Sequence, residues 1–104
     1  MLRPNEIVEY GEKHAEKWLT AQGYHCHHKQ GQGVNELEAR GGESALLVHV
    51  NAALAPAQPK EISQHDHDSI VSRAMMLGFE PWLAQVQINA HGDLVGEIAW
   101  THMK

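Results

Sequence analysis

The sequence is short of what holds many small proteins together or carries them into a membrane. It has one cysteine, Cys26, so no internal disulfide can form. Its apolar residues come in short runs, none near the roughly 18 of a membrane span. The first residues lack the basic segment and apolar stretch of a secretory signal, so a cytoplasmic location is the expectation. Positive charge is scarce too: 8 Lys and Arg stand against 13 Asp and Glu, a formal net charge of −5 with histidine neutral. Tight, nonspecific adhesion to a phosphate backbone needs a concentrated basic surface, and this composition argues against it. Nine histidines complicate the balance. Each gains a proton as pH falls toward about 6.5, and below that value the net charge can change sign.

What is present suffices for one core. The 104 residues are 42% hydrophobic with nine glycines and four prolines, which predicts a single folded domain over residues 1–104 with ordinary loop content. Its organising stretch is residues 33–51, which reads as two strands joined by a tight glycine turn. The run over residues 45–53 is the longest apolar one in the chain and predicts a strand covered on both faces, in the middle of a sheet. Alternation places Leu47, His49 and Asn51 on one face and Leu46, Val48 and Val50 on the other. It also pairs Glu36 with Glu38 on the preceding strand. Two carboxylates, an imidazole and a carboxamide therefore either converge on one face or point to solvent at the strand ends. Spacing alone leaves both open.

The remaining elements follow from periodicity. Ile7, Val8, Gly11, Ala15, Trp18 and Leu19 share one face of an amphipathic helix over residues 4–22, with Pro4 in its first turn and Gly23 as its stop. Glu12 lies at the edge of that face and is the helix carboxylate directed toward the sheet. Residues 24–29 predict a strand with His25 and His27 on one face and Tyr24, Cys26 and His28 on the other. The Gly31-Gln32-Gly33 turn follows. Residues 52–59 read as a loop without secondary structure. A second helix starts near residues 63–66 and ends at Leu77 before Gly78, with Ile70, Val71, Ala74 and Leu77 as its buried stripe and His67 inside it. Residues 82–88 predict a strand, 89–93 a turn, and 94–101 a last strand.

Glu36, the glycine turn, and His49-Val50-Asn51 on an apolar strand resemble the core of the PD-(D/E)XK superfamily, the restriction-endonuclease-like and Holliday-junction-resolvase-like nucleases. Glu36 stands at the family's Asp, and His49 and Asn51 stand at its Glu and Lys, so none of the three matches the usual residue. The likeness extends to Gly11-Glu12 and Ala15, and downstream to Arg73-Ala74, Leu77-Gly78 and residues 80–84. It implies an α/β fold with a restriction-endonuclease-like αβββαβ core, a mixed sheet flanked by helices, and an extra C-terminal strand. It also implies hydrolysis of DNA phosphodiesters with a divalent metal, Mg²⁺ or Mn²⁺. Glu36, His49 and Asn51 hold the catalytic positions, and Glu12, Glu36 and His49 are the metal ligands, with Glu38 a possible third carboxylate.

Imidazole suits Mn²⁺ or Zn²⁺ better than Mg²⁺, and Asn51 cannot supply the charge of a lysine. The degenerate motif thus implies an impaired or inactive nuclease with a nucleic-acid-associated or interaction role. One alternative is an active endonuclease in which Lys29, Lys60 or Arg73 supplies the cation. The other is a histidine-rich module that binds a transition metal. The resemblance also implies DNA as a partner and a homodimer, with strand 96–102 available for pairing at an edge.

Overall fold

The computed structural model describes residues 2–28 and 36–103. The 31–33 turn and Lys29 lie outside the described residues. The chain runs α1 (Pro4–Ala21), β1 (His25–His28), β2 (Glu36–Gly41), β3 (Ser44–Leu54), α2 (Gln64–Leu77), β4 (Glu80–Ile88) and β5 (Ala99–His102). The strands form one sheet in the order β1-β2-β3-β4-β5. The first three are antiparallel neighbours, α2 connects β3 to a parallel β4, and β5 returns antiparallel. The two-faced apolar strand is therefore central, as its composition predicts.

The two faces of β3 carry different layers. Leu46, Val48 and Val50 pack with Ala15 and Leu19 of α1, Leu37 and Ala39 of β2, and Ala84, Val86 and Ile88 of β4. Leu47 packs on the opposite face with Leu83, with Ile70 and Ala74 of α2, and with Phe79 and Met103. Each fully buried leucine or valine here contributes about 1.5–3 kcal/mol relative to exposure. The approach of α1 is set by Gly11, where a Cβ would lie 2.6 Å from the Ala52 Cβ. The start of α1 is closed by the Arg3 amide donating to Glu6 Oε1 at 3.1 Å. At its far end Gly23 adopts φ +95°.

Several expectations change in detail. Trp18 does not enter the core: it is 43% exposed, because its partner is Trp100 of the edge strand β5, with centroids 4.8 Å apart. Leu77 is 50% exposed, since the chain reverses at Gly78 (φ +76°) and Phe79 takes the buried place. β3 continues through Ala52–Leu54, expected as loop, because those residues pair with Val86, Gln87 and Ile88. The last strand is shorter than residues 94–101. Leu94 makes only an isolated bridge to Ile88, and Gly96 at φ +70° separates it from β5. No described helix is long and apolar enough to cross a membrane.

The β4–β5 turn is fastened to α1. His14 Nε2 donates to the Gly92 carbonyl at 2.8 Å, and Gly92, buried at φ +82°, lies so close to Tyr10 that a Cβ would be 2.5 Å from its ring.

Candidate functional site

The two-residue turn between Gly41 and Ser44 fixes the β2–β3 register and makes Glu36 the direct partner of His49. Asn51 follows two residues on, on the same face. Above that face α2 presents Asp66, Ser69, Ile70 and Arg73, and these residues with Glu36, His49 and Asn51 line a polar pocket of about 260 Å³. The convergence expected of Glu36, His49 and Asn51 is therefore present. Asp66, Ser69 and Arg73 follow helical spacing, which places them on one side of α2. Asp66 and Ser69 are the residues that strand periodicity alone did not reveal.

Glu36 is the buried charged residue of the described chain, at 3% exposure. Arg73 answers it: Nη1 lies 2.8 Å from Oε1 and 2.7 Å from Oε2. A carboxylate so far from water carries a desolvation penalty of several kcal/mol unless paired, and the guanidinium offsets it.

His49 and Asn51 form the second half of the pocket. Asn51 Nδ2 donates to the Lys60 carbonyl at 2.9 Å, so its Oδ1 faces His49 Nε2 at 3.0 Å as an acceptor. His49 Nε2 must then carry the ring proton, which leaves Nδ1 as a lone pair when the ring is neutral. Nδ1 is buried and has no hydrogen-bond partner among the described residues, and the same is true of Arg73 Nε. Burial pushes the imidazole below its ordinary value of 6.5. The Asn51 hydrogen bond and the charges of Glu36 and Asp66 pull it back up, while the charge of Arg73 opposes them.

Asn51 also belongs to a row of carboxamides that holds the loop after β3. Gln85 Nε2 donates to the same Lys60 carbonyl at 3.2 Å, and Gln87 Nε2 to the Ala57 carbonyl at 2.8 Å. Lys60 thus reaches the site through its backbone oxygen. Glu12 does not line the pocket: it is half-buried on α1, the helix that covers the opposite face of the sheet. Glu38 pairs with Leu47, next along from the Glu36–His49 pair. Both carboxylates have interactions of their own.

The other histidines are dispersed. His25 and His27 are exposed on β1 opposite Arg40 and Glu38. His67 Nδ1 lies 3.3 Å from Asp68 Oδ1, and hydrogen bonds from His67 and Gln64 hold the Asp68 carboxyl below its usual range. Among the described residues, no three His, Cys, Asp or Glu side chains are grouped to hold one metal ion.

A hard divalent ion such as Mg²⁺ needs several oxygen ligands in near-octahedral array. Of the two carboxylates lining the pocket, Glu36 has both oxygens against Arg73, and His49 offers nitrogen. As the residues stand, they do not fit that ion.

On the other side of the sheet, a groove of about 540 Å³ is lined by Trp18, Leu19, Gln22, Tyr24, Leu46, Trp82 and Trp100. It gathers all three tryptophans of the sequence.

The fold matches that of Hjc, a Holliday junction resolvase from the archaeal hyperthermophile Archaeoglobus fulgidus, with a TM-score of 0.68. The match covers 92% of this chain and 72% of that one at 15% sequence identity. At that identity the likeness establishes the fold, and it is the resolvase-like, restriction-endonuclease-like one that Glu36 and the 49–51 motif resemble. No family model matches the sequence. No curated protein matches it either.

Proposed function

We propose that this protein is a nuclease-fold domain that associates with DNA without cutting it. The observation that carries this reading is the seating of Arg73 on both oxygens of Glu36, the carboxylate at the position where the fold's nucleases hold their metal. A carboxylate committed to an internal guanidinium has no oxygen ready for a hydrated divalent ion. Asn51, tied to His49 and to the Lys60 carbonyl, brings no charge to a phosphate. Support for DNA as the partner comes from the fold, shared with a protein described as a Holliday junction resolvase. At a net charge of −5, binding relies on the shape of the nucleic acid more than on its charge density, and it is weak. Association as a homodimer, which would offer two such surfaces to a branched substrate, belongs to the same reading.

The test is a comparison of a four-way DNA junction with a linear duplex of equal length. Mobility shift is measured at low salt, and cleavage is measured in Mg²⁺ and in Mn²⁺. The expected outcome is a retarded junction and no product with either ion. Cleavage that disappears in Glu36→Gln would overturn the reading in favour of an active, altered nuclease. In that second reading Arg73, which lines the pocket, would leave Glu36 and act as the cationic group beside the phosphate. Failure to bind either DNA would remove nucleic acid from the proposal.

A further inference from the structure

We infer that the tryptophan groove on the α1 side of the sheet binds an unstacked nucleobase of a single-stranded DNA segment, with the base against the indole rings and its phosphates outside. DNA as the source of that base rests on the reading above. The groove itself lies on the other face of the sheet from the Glu36 pocket.

Its walls come from three elements. Trp82 and Trp100 fall on one face of β4 and β5, because Trp82 pairs with His102 and Trp100 with Ala84. Trp18 of α1 meets Trp100 with ring centroids 4.8 Å apart and planes inclined at 38°. Rings splayed in this way do not fully cover each other, and Trp18 stays 43% exposed. The His102 ring stacks on Trp82 at 4.8 Å and 22°, which fixes the plane of that wall. The resulting cavity of about 540 Å³ is of the size that small organic groups occupy. It lies at the border of the sheet, where β5 is the last strand.

The chemistry of the lining narrows the occupant. Nε1 of Trp82 and Nε1 of Trp100 are both buried with no hydrogen-bond partner among the described residues, although a buried indole N–H usually has one. An indole donates and cannot accept, so the missing partner is an acceptor. Gln22, exposed at the rim, offers a donor and an acceptor together. Among the described residues that line the groove none carries a charge, which disfavours a phosphate or an ammonium as the group that enters. A flat, neutral ring with carbonyl or ring-nitrogen acceptors on its edge meets these conditions, and a nucleobase is such a ring. Stacking on aromatic side chains is how single strands are commonly held, since every base has a π face. Charge is found just outside. Lys13 and Lys17 stand exposed on α1 and line a shallow depression in which Glu16 is the one carboxylate. That border is locally positive on a chain whose overall charge is −5, and it suits the phosphates that flank the base.

Titration of the full chain with short single-stranded DNA at low salt tests this, read from tryptophan emission excited at the red edge of the indole band, where bases do not absorb. The signal is confined to the groove, because all three tryptophans of the sequence line it. Saturable quenching is expected, with an affinity about 10-fold or more above that for an abasic strand of equal length and charge. Trp18→Ala should weaken binding of the intact strand by about 10-fold or more. Trp82→Phe and Trp100→Phe, which keep an aromatic face and remove the N–H, should each weaken it by about 3- to 10-fold. Gln22→Ala, at an exposed position, serves as a further variant that leaves the walls intact, and a smaller loss is expected from it. Equal affinity for intact and abasic strands would overturn the inference, as would a folded Trp18→Ala that binds as wild type does. Quenching by free thymidine or adenosine with none by any strand would overturn it in favour of a free small ligand. A blue shift of the emission that grows with protein concentration in the absence of DNA would overturn it in favour of a second copy covering the groove. A junction retarded without any change in tryptophan emission would sink this inference and leave DNA association standing.

Discussion

Glu36 and Arg73 are 37 positions apart in the chain, and they meet at 2.7 Å with very unequal access to water, the carboxylate side chain 4% exposed and the guanidinium 39%. That inequality makes the pair asymmetric under mutation. Arg73→Ala strands a buried charge, and the expected loss is about 3–5 kcal/mol. Glu36→Gln leaves behind a cation that can turn toward solvent, so its loss should be clearly smaller. Urea unfolding of the two variants measures the difference, and equal losses would show that stranding the buried carboxylate is no worse than stranding the exposed guanidinium.

His49 should impose a pH dependence. Its folded-state pKa lies below the ordinary 6.5 because the ring is buried, so the unfolded chain takes up this proton first as pH falls. Stability is unaffected above 6.5 and declines as pH drops through 6.5 toward the folded value, with no further loss from this group below it. Wild type should therefore lose more stability than His49→Gln between about pH 7 and 5. Parallel stability-pH curves would show that the ring is not protected from protonation.

Two glycines should resist alanine for different reasons. In Gly11→Ala the new methyl meets Ala52 Cβ at 2.6 Å. Overpacking of about 1–3 kcal/mol outweighs the gain of about 1 kcal/mol in helix propensity. The pair Gly11→Ala/Ala52→Gly should recover part of the loss. Gly92→Ala adds a left-handed backbone penalty to a clash with the Tyr10 ring. It should cost more than Gly11→Ala in the same denaturation assay, and Tyr10→Ala should relieve only the clash.

The carboxamides of Asn51, Gln85 and Gln87 are expected to act on the loop more than on global stability. Replacing Gln87 by Ala removes its bond to the Ala57 carbonyl, and replacing Asn51 removes bonds to both Lys60 and His49. Each net hydrogen bond is worth about 0.5–1.5 kcal/mol. Limited proteolysis should cut within residues 55–60 sooner in both variants than in wild type, and most readily in the double variant. Unchanged cleavage rates would mean that the loop is held by other contacts.

Much of the site was legible because strands have period two and a short turn fixes register. Once Gly41 and Ser44 are joined by two residues, Glu36 must fall opposite His49. The central place of β3 was readable from a run that carries apolar residues on both faces, Leu46, Val48 and Val50 on one and Leu47 on the other. The row Asp66, Ser69, Arg73 is likewise visible as one side of a helix, but nothing in its spacing says which strand lies beneath it. Arg73 could be named as a candidate cation without showing that it would close on Glu36. The role of Asn51 was hidden for a different reason: its partner is the backbone oxygen of Lys60, and a carbonyl leaves no signature in the side-chain sequence. Trp18 was misplaced because helical periodicity marks an apolar face without telling whether the middle of the sheet or its edge lies under it.

The carboxamide row also bears on how the sheet reaches its alignment. Asn51 is the β3 partner of Gln85, and Gln87 follows two places along β4 beside Ala53. The two residues that grip Lys60 thus come from neighbouring strands at one level. If β4 docked one residue out of step, Gln85 and Gln87 would turn to the opposite face, and the loop would lose two of its three side-chain clasps. Closure of residues 55–60 is therefore a readout of correct parallel alignment: a mispaired sheet announces itself as an open loop at its own border.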